Sequence, residues 1–468
     1  MADNLSDTAI DAEAPGALDE DDQLTGVFVD SIVDALDADD TDAVLALIEP
    51  LHPADIADLF EQVPGDYRAP LALALGDKLD ADVFAEMNDW VKSALLDRLD
   101  ANQVAEIAQA LDTDDAVAII EDMDSDDARE VLRAMDPDDR AAIEEALSYP
   151  EDSAGRLMQR DLVAVPEYWR VGQVIDHLRA RPDQQTDFWE IFVVDPAHKP
   201  IGTMRLSWLL TAAPEMAVTD IMQRDQTLIP VDLDQEEVGL RFQKYALISC
   251  AVVDTSGRLV GVITVDDVVH IIQEEAGEDV LRLSGAGDGD INEPIGHTIR
   301  TRMFWLLINL GTAILASSVV AAFEGTIARL VTLAVLMPIV AGMGGNAATQ
   351  TMAVTVRALA TNQLTSSNTR RMIFREFRIA AANGAGFGLL MAAGCQLVYH
   401  DTGLSLVLGA AMFINSLIAG LSGVLIPLTL DRFEIDPAVT STVFVTTMTD
   451  VMGFFCFLGL AALFHLTA

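Results

Sequence analysis

Lysine is nearly missing: Lys78, Lys92, Lys199 and Lys244 are the only four in 468 residues. Lysine and arginine together number 28 against 74 aspartates and glutamates, a net charge of −46. With no basic stripe to neutralise phosphates, a nucleic-acid-binding role is excluded. The three cysteines, Cys250, Cys395 and Cys456, form no CxxC pair, and two of them lie in apolar stretches. A disulfide-stapled secreted fold is therefore excluded, and the lack of paired Cys or His argues against a zinc- or copper-type centre. No nucleophile–base pair, phosphate loop or metal-protease motif occurs, so an enzyme is the least supported class. The first residues carry neither a basic region nor an apolar core, unlike a signal peptide. Residues 1–23 are expected to be a disordered acidic tail.

The charge that is present divides the chain near residue 304. Beyond that point seven acids balance seven arginines, so the whole of the −46 lies before it. An acid-rich, lysine-poor surface suits a salty cytoplasm or habitat, as in halophiles. That reading leaves room for a few carboxylates to bind divalent cations. The neutral remainder holds five apolar stretches long enough to cross a bilayer, at about 303–323, 331–356, 379–399, 404–430 and 438–464. Arg300, Arg302, Arg357, Arg370, Arg371, Arg375, Arg378 and Arg432 flank one side of these spans, and Arg329 alone flanks the other. Basic residues collect on the cytoplasmic side. The N-terminus is thus expected in the cytoplasm and the C-terminus in the periplasm, across the cell inner membrane.

Asp450 is the most informative residue of the spans. It lies in Thr446-Thr447-Met448-Thr449-Asp450, near the middle of span five, with no basic residue between Arg432 and the C-terminus. A carboxylate at that depth costs about 2.5–3.5 kcal/mol on insertion scales, which marks it as functional unless the threonines satisfy it. Glu324 and Asp401 fall at loops, and Asp431, Glu434 and Asp436 at the cytoplasmic rim. The available ligands are carboxylate, hydroxyl, amide and backbone oxygens, which suit a hard cation. One carboxylate per chain is too few for a dehydrated calcium cage but adequate for Mg²⁺, which keeps most of its water. Two chains on a symmetry axis would bring two copies of Asp450 to one ion. In span two, the glycines of Gly342-Met343-Gly344-Gly345-Asn346 predict irregular backbone or a cavity lining.

The part before the spans contains two kinds of repeat. Leu99-Asp100, Leu111-Asp112, Met123-Asp124 and Met135-Asp136 recur every 12 residues, each followed by a polar pair and an apolar helical stretch. Short Asp-capped helices stacked as an α-solenoid are expected over 24–150. The Asp-rich turns lack the glycine and bidentate glutamate of an EF-hand. Further on, Met158-Gln159-Arg160-Asp161 recurs as Met222-Gln223-Arg224-Asp225 at an offset of 64. Val194-Asp195 with Ile201-Gly202 recurs as Val253-Asp254 with Val260-Gly261 at 59. Two tandem α+β domains, 151–215 and 216–273, follow. Gly261-Val262-Ile263-Thr264-Val265-Asp266-Asp267 resembles the CBS-domain signature, whose Thr and later Asp hold an adenosine ribose. Trp208 replaces that Asp in the first copy. At most one nucleoside site is expected, at Thr264 and Asp267, with ATP the candidate ligand. A linker over 268–300 begins with a helical stretch, Val268 to Leu283, with an acidic face of Glu274, Glu275, Glu278 and Asp279. A Gly-rich break follows at 285–289. Glu434 and Asp436 are plausible groups for that face to meet.

The order of parts resembles the MgtE family of bacterial magnesium channels. The stretches that carry the resemblance are Phe323-Glu324-Gly325-Thr326-Ile327, the run from Met337 to Ala347, and Phe444 to Phe455. They imply a multidomain membrane protein: a helical N domain, tandem CBS domains, a plug helix and an all-α pore domain of five helices over 301–468. They also imply a homodimer in the lipid bilayer with the pore on its two-fold axis. Asp450 would then bind hydrated Mg²⁺, with Asn346 in the pore lining. Cytoplasmic Mg²⁺ bound between the domains would hold the channel closed through acids such as Asp266, Asp267, Glu274, Glu275, Glu278 and Asp436. The expected activity is potential-driven Mg²⁺ uptake. Its rivals are an ion-coupled secondary transporter of Mg²⁺, Mn²⁺ or Co²⁺, and a membrane-anchored CBS sensor without transport.

Overall fold

The structure is a computed structural model of the chain and describes residues 16–180, 188–284, 292–365, 367–433 and 435–464. The Gly-rich break at 285–289, Glu434 and the Asp279 side chain lie outside the described residues, as does most of the expected tail. The part of the tail that is described is ordered. Leu18 bridges to Leu24, Asp19 Oδ1 accepts from the amides of Asp21 and Gln23, and Leu24 is buried in the helical core. Apolar side chains within an acidic stretch are enough to pin it.

The chain forms two compact units, divided between Ile272 and Gln273. In the first, short helices stack from Gly26 to Ala146 around one continuous core. The 12-residue period becomes the helices Ala101–Ala110, Thr113–Glu121, Ser125–Ala134 and Pro137–Ala146, each with an Asp at the N-cap. Only Asp100 uses its carboxylate as a cap, accepting from Asn102 and Gln103. Asp112, Asp124 and Asp136 make no cap hydrogen bond.

The two α+β copies have the same three-stranded sheet. In the first, β1 (Ala164–Pro166) pairs parallel with β2 (Glu190–Val194), which pairs antiparallel with β3 (Pro200–Arg205). In the second, β4 (Leu228–Pro230), β5 (Ser249–Val253) and β6 (Leu259–Thr264) repeat this order. Even the bulge recurs, at Val193/Val194 and at Val252/Val253. The Met-Gln repeat has a physical reason: each copy of it packs on the other domain. Gln159 bridges to Val262 and Gln223 to Thr203. Any Cβ at Gly261 would stand 2.6 Å from Met158 Sδ, and at Gly202 2.9 Å from Met222 Sδ. The exchange locks the copies together.

The second unit contains five helices long and apolar enough to cross a membrane. They are span one (Ile295–Ala322), span two (Thr332–Ala360), span three (Thr369–Tyr399), span four (Thr402–Arg432) and span five (Pro437–Leu463). Several extend past the apolar stretches read from sequence, because charged end turns continue the helix into the interface. Three details differ from expectation. The loop between spans one and two contains a short helix, Glu324–Arg329. Span two stays helical through Gly342–Gly345 rather than turning irregular. Span three starts early enough to hold a buried acid, Glu376, paired with Arg375 at 3.3 Å. Spans three and four approach closely where Gly388 and Gly409 face each other; a Cβ on either would meet the other's carbonyl oxygen at 2.8–2.9 Å.

Candidate functional site

Asp450 lies half-buried in span five. Among the described residues its carboxylate has no hydrogen-bond or ion-pair partner. The threonines beside it spend their donors elsewhere: Thr449 Oγ1 donates to the Thr446 carbonyl at 3.0 Å and Thr447 Oγ1 to the Val443 carbonyl at 2.6 Å. Local hydroxyls therefore do not account for the acid. Asn346, in span two, is exposed on the protomer and has no hydrogen-bond partner among the described residues.

A third residue, not singled out from sequence, sets the level of these two. Asn415, in the middle of span four, is 1% exposed and donates Nδ2 to the Val340 carbonyl at 2.8 Å, while its Oδ1 has no partner. It lies against Gly344 of span two and Gly453 of span five; an added Cβ would meet Nδ2 at 2.1 Å and 3.0 Å respectively. The glycine run thus makes room for a buried amide. Spans two and five are an even and an odd pass through the bilayer, hence antiparallel. Asn346 follows Gly344 by two residues and Asp450 precedes Gly453 by three, so both are displaced towards the same end. At about 1.5 Å per residue they lie within roughly 2 Å of one level. The lone polar residue in Met412-Phe413-Ile414-Asn415 was the available signal.

This packing carries a prediction. Gly344→Ala destabilises the membrane unit strongly, because its methyl group would overlap the amide. Asn415→Ala alone costs about 1 kcal/mol, the usual worth of one hydrogen bond between membrane helices. The double variant is more stable than Gly344→Ala, since removing the amide relieves the overlap. Thermal midpoints of the detergent-solubilised protein check the order; a double variant worse than both singles contradicts it.

A second constellation lies in the first unit. Thr264, at the end of β6, donates Oγ1 to Asp267 Oδ2 at 2.7 Å, and Gln159 Nε2 donates to the same oxygen at 3.1 Å. The expected Thr264–Asp267 pair is thus brought together, while Asp266 is exposed beside it. Facing Asp267 is the start of the helix Thr113–Glu121, with Asp112, Asp114 and Asp115. Burial, then the Asp267 charge and the neighbouring acids, hold Asp114 well above the ordinary carboxylate range. Its Oδ1 is shut from solvent without a hydrogen-bond partner. Burial and the Asp267 charge raise Asp115 to about 6. Burial raises Asp267 to about 6 as well, against the Thr264 hydrogen bond, which lowers it. Among the described residues no three His, Cys, Asp or Glu side chains form a ready metal cage. An ion that retains water needs fewer direct ligands, and hard oxygens with one orphaned carboxylate oxygen fit it.

These shifts fix the sign of a pH effect. Carboxylates raised in the folded state stabilise it fully below the unfolded value near 4, and that contribution is lost as pH rises through about 6. Without divalent cations, the first unit should be cleaved more slowly by protease at about pH 5 than at about pH 7.5, each rate referred to an unfolded substrate. Equal relative rates at the two pH values contradict the arrangement.

The linker acids belong to the helix Val265–Ser284. Glu274 is exposed and Glu275 half-buried. Glu278 and Asp436 do come together, but through Arg282, which pairs with Glu278 and lies 3.0 Å from Asp436 Oδ2. A basic residue thus occupies the place where the sequence suggested only opposing carboxylates.

The chain is similar to known proteins along most of its length. A family model described as a divalent cation transporter, MgtE, matches residues 337–460. Models of the MgtE intracellular N domain and of the CBS domain match 51–152 and 218–274. The magnesium transporter MgtE of Thermus thermophilus is 31% identical over 450 residues, covering 92% of this chain and 97% of its own. That of Bacillus subtilis is 29% identical over 420 residues, covering 90% and 93%. The solved cytosolic domain of the Mg²⁺ channel MgtE in complex with ATP is 32% identical, with a TM-score of 0.48, covering 52% of this chain and 99% of that one. The chain belongs to the MgtE family of magnesium transporters.

Proposed function

We propose that this protein is a Mg²⁺ channel of the inner membrane, driven by the membrane potential and closed by cytoplasmic Mg²⁺. The observation that carries the reading is Asp450: an unpaired mid-span carboxylate, level with Asn346 and pinned there by Asn415. The ion passes as cargo, keeping most of its water, with two copies of Asp450 supplying charge across a homodimer axis. The potential contributes about 2.3 kcal/mol per charge per 100 mV, or about 4.6 kcal/mol for a divalent ion. The arginine distribution supports an N-terminus in the cytoplasm and a C-terminus in the periplasm.

Closure is assigned to the acids around Asp267. With its negative charges unscreened, the face of Asp112, Asp114 and Asp115 repels Asp267 and loosens the helical domain from the CBS pair. Neutralising these groups favours the compact arrangement. The linker helix carries Asp266 and Asp267 in its first turn and Glu274, Glu275 and Glu278 further on, and its Arg282 pairs with Asp436 at the foot of span five. Thr264 and Asp267 remain the place for an adenosine ribose, because they are already held together. Nucleotide occupancy and the acid cluster would then share Asp267.

Uptake of Mg²⁺ by cells that lack their own importers tests the channel reading. Uptake that follows the membrane potential supports it. Uptake that follows the proton gradient at fixed potential favours the coupled transporter.

A further inference from the structure

At one end of spans two and three the membrane unit has a cavity of about 520 Å³. Its polar lining comes from Arg357, Gln363, Asn368, Arg371 and Arg375, and its apolar lining includes Leu364 and Met372. The end is the one where the arginines cluster. Arg357 closes span two, and Arg371 and Arg375 belong to the opening turns of span three. All three guanidiniums are exposed. Arg375 pairs with Glu376, but among the described residues neither Arg357 nor Arg371 has a carboxylate partner. In a chain with a net charge of −46, two arginines left without acids around one concavity call for an external anion. The N-terminus of span three adds its amide dipoles, and its N-cap Asn368 makes no side-chain cap bond there.

We propose that this cavity binds the phosphodiester headgroup of an anionic membrane lipid. Three features favour a lipid over a soluble phosphate. The cavity opens where two membrane-crossing helices end, at the depth of lipid headgroups. Its wall is mixed: guanidiniums for the phosphate, and Val354, Leu364 and Met372 for the glycerol and upper acyl carbons. Exposed Phe374 and Phe377 lie in the early turns of span three, and aromatic rings favour that interface; the Arg370 guanidinium lies 5.6 Å from the Phe374 ring. Basic pockets between membrane helices bind lipid headgroups in this way, and a cavity of this size is typical of small-ligand sites. The lipid would clamp the ends of spans two and three, and span two carries Asn346.

The test uses the full-length protein in detergent, with phosphatidylglycerol or phosphatidylcholine added and retained lipid read by native mass spectrometry. Three basic groups give an expected preference for phosphatidylglycerol of about a hundredfold. The preference falls to near unity in the Arg357→Gln/Arg371→Gln/Arg375→Gln variant. It is also reduced in Leu364→Trp, which crowds the cavity, keeps every charge and guards against misinsertion of the triple variant. Inorganic phosphate in large excess leaves the lipid bound. Undiminished preference in both variants overturns the proposal, and displacement by inorganic phosphate makes this a free-anion site instead.

Discussion

Replacing Asp450 by Ala or Asn abolishes Mg²⁺ uptake while leaving the protein at least as stable. The two effects have opposite signs for one reason. The carboxylate has no partner among the described residues, and Thr447 and Thr449 are bonded to their own helix. Its presence near mid-bilayer costs about 2.5–3.5 kcal/mol on insertion scales, and no hydrogen bond or ion pair among the described residues offsets that. Asparagine has nearly the same shape without the charge, so the thermal midpoint should rise or stay level. In the proposed channel, that charge holds the divalent ion in a low-dielectric passage. Uptake should therefore fall to the background of importer-deficient cells, provided surface levels match. A structural aspartate predicts the reverse: lower stability, and transport retained in proportion to folded protein.

The second large effect concerns closure. In the native protein, millimolar Mg²⁺ is expected to slow proteolysis of the first unit at neutral pH. Moving a population from 1:99 to 99:1 requires about 5.5 kcal/mol of differential binding, which several weak sites together can supply. Asp114→Asn with Asp267→Asn removes the repulsion between Asp267 and the buried Asp114. The double variant is then protected without Mg²⁺ and responds little to its addition. Its cleavage also loses the pH dependence due to Asp267, whose folded value lies near 6, and keeps that part of the dependence that burial gives to Asp115. A native protein that shows no Mg²⁺-dependent protection contradicts the gating scheme, and a double variant that still needs Mg²⁺ moves closure to other acids.

Much of the architecture was legible because it rests on short-range rules. Asp at every twelfth position marked the starts of four helices, though only Asp100 uses its side chain as a cap. The offsets of 64 and 59 reappear in the strand registers of the two sheets. Their cause was not legible: Met158 packs on Gly261 and Met222 on Gly202, across domains, which is a tertiary fact. Asp450 announced itself by cost, since no nearby basic residue could neutralise it. Asn415 did not, because an uncharged amide in a span is cheap enough to pass as packing until Gly344 and Gly453 are seen against it. The acids at 112, 114 and 115 read as ordinary helix-start residues, and only the fold brings Asp267 to face them. Arg282 was hidden by the acidic face it belongs to.

The central claim is that a water-clad divalent ion is conducted past Asp450. The direct measurement is current through the purified protein in a planar bilayer, with Mg²⁺ as the sole permeant cation and held at a low, fixed concentration on the cytoplasmic face. Conduction past Asp450 gives a current that reverses at the Mg²⁺ equilibrium potential, is indifferent to a pH gradient and vanishes in Asp450→Asn. A current that persists in that variant, or a reversal potential that moves with pH, contradicts it.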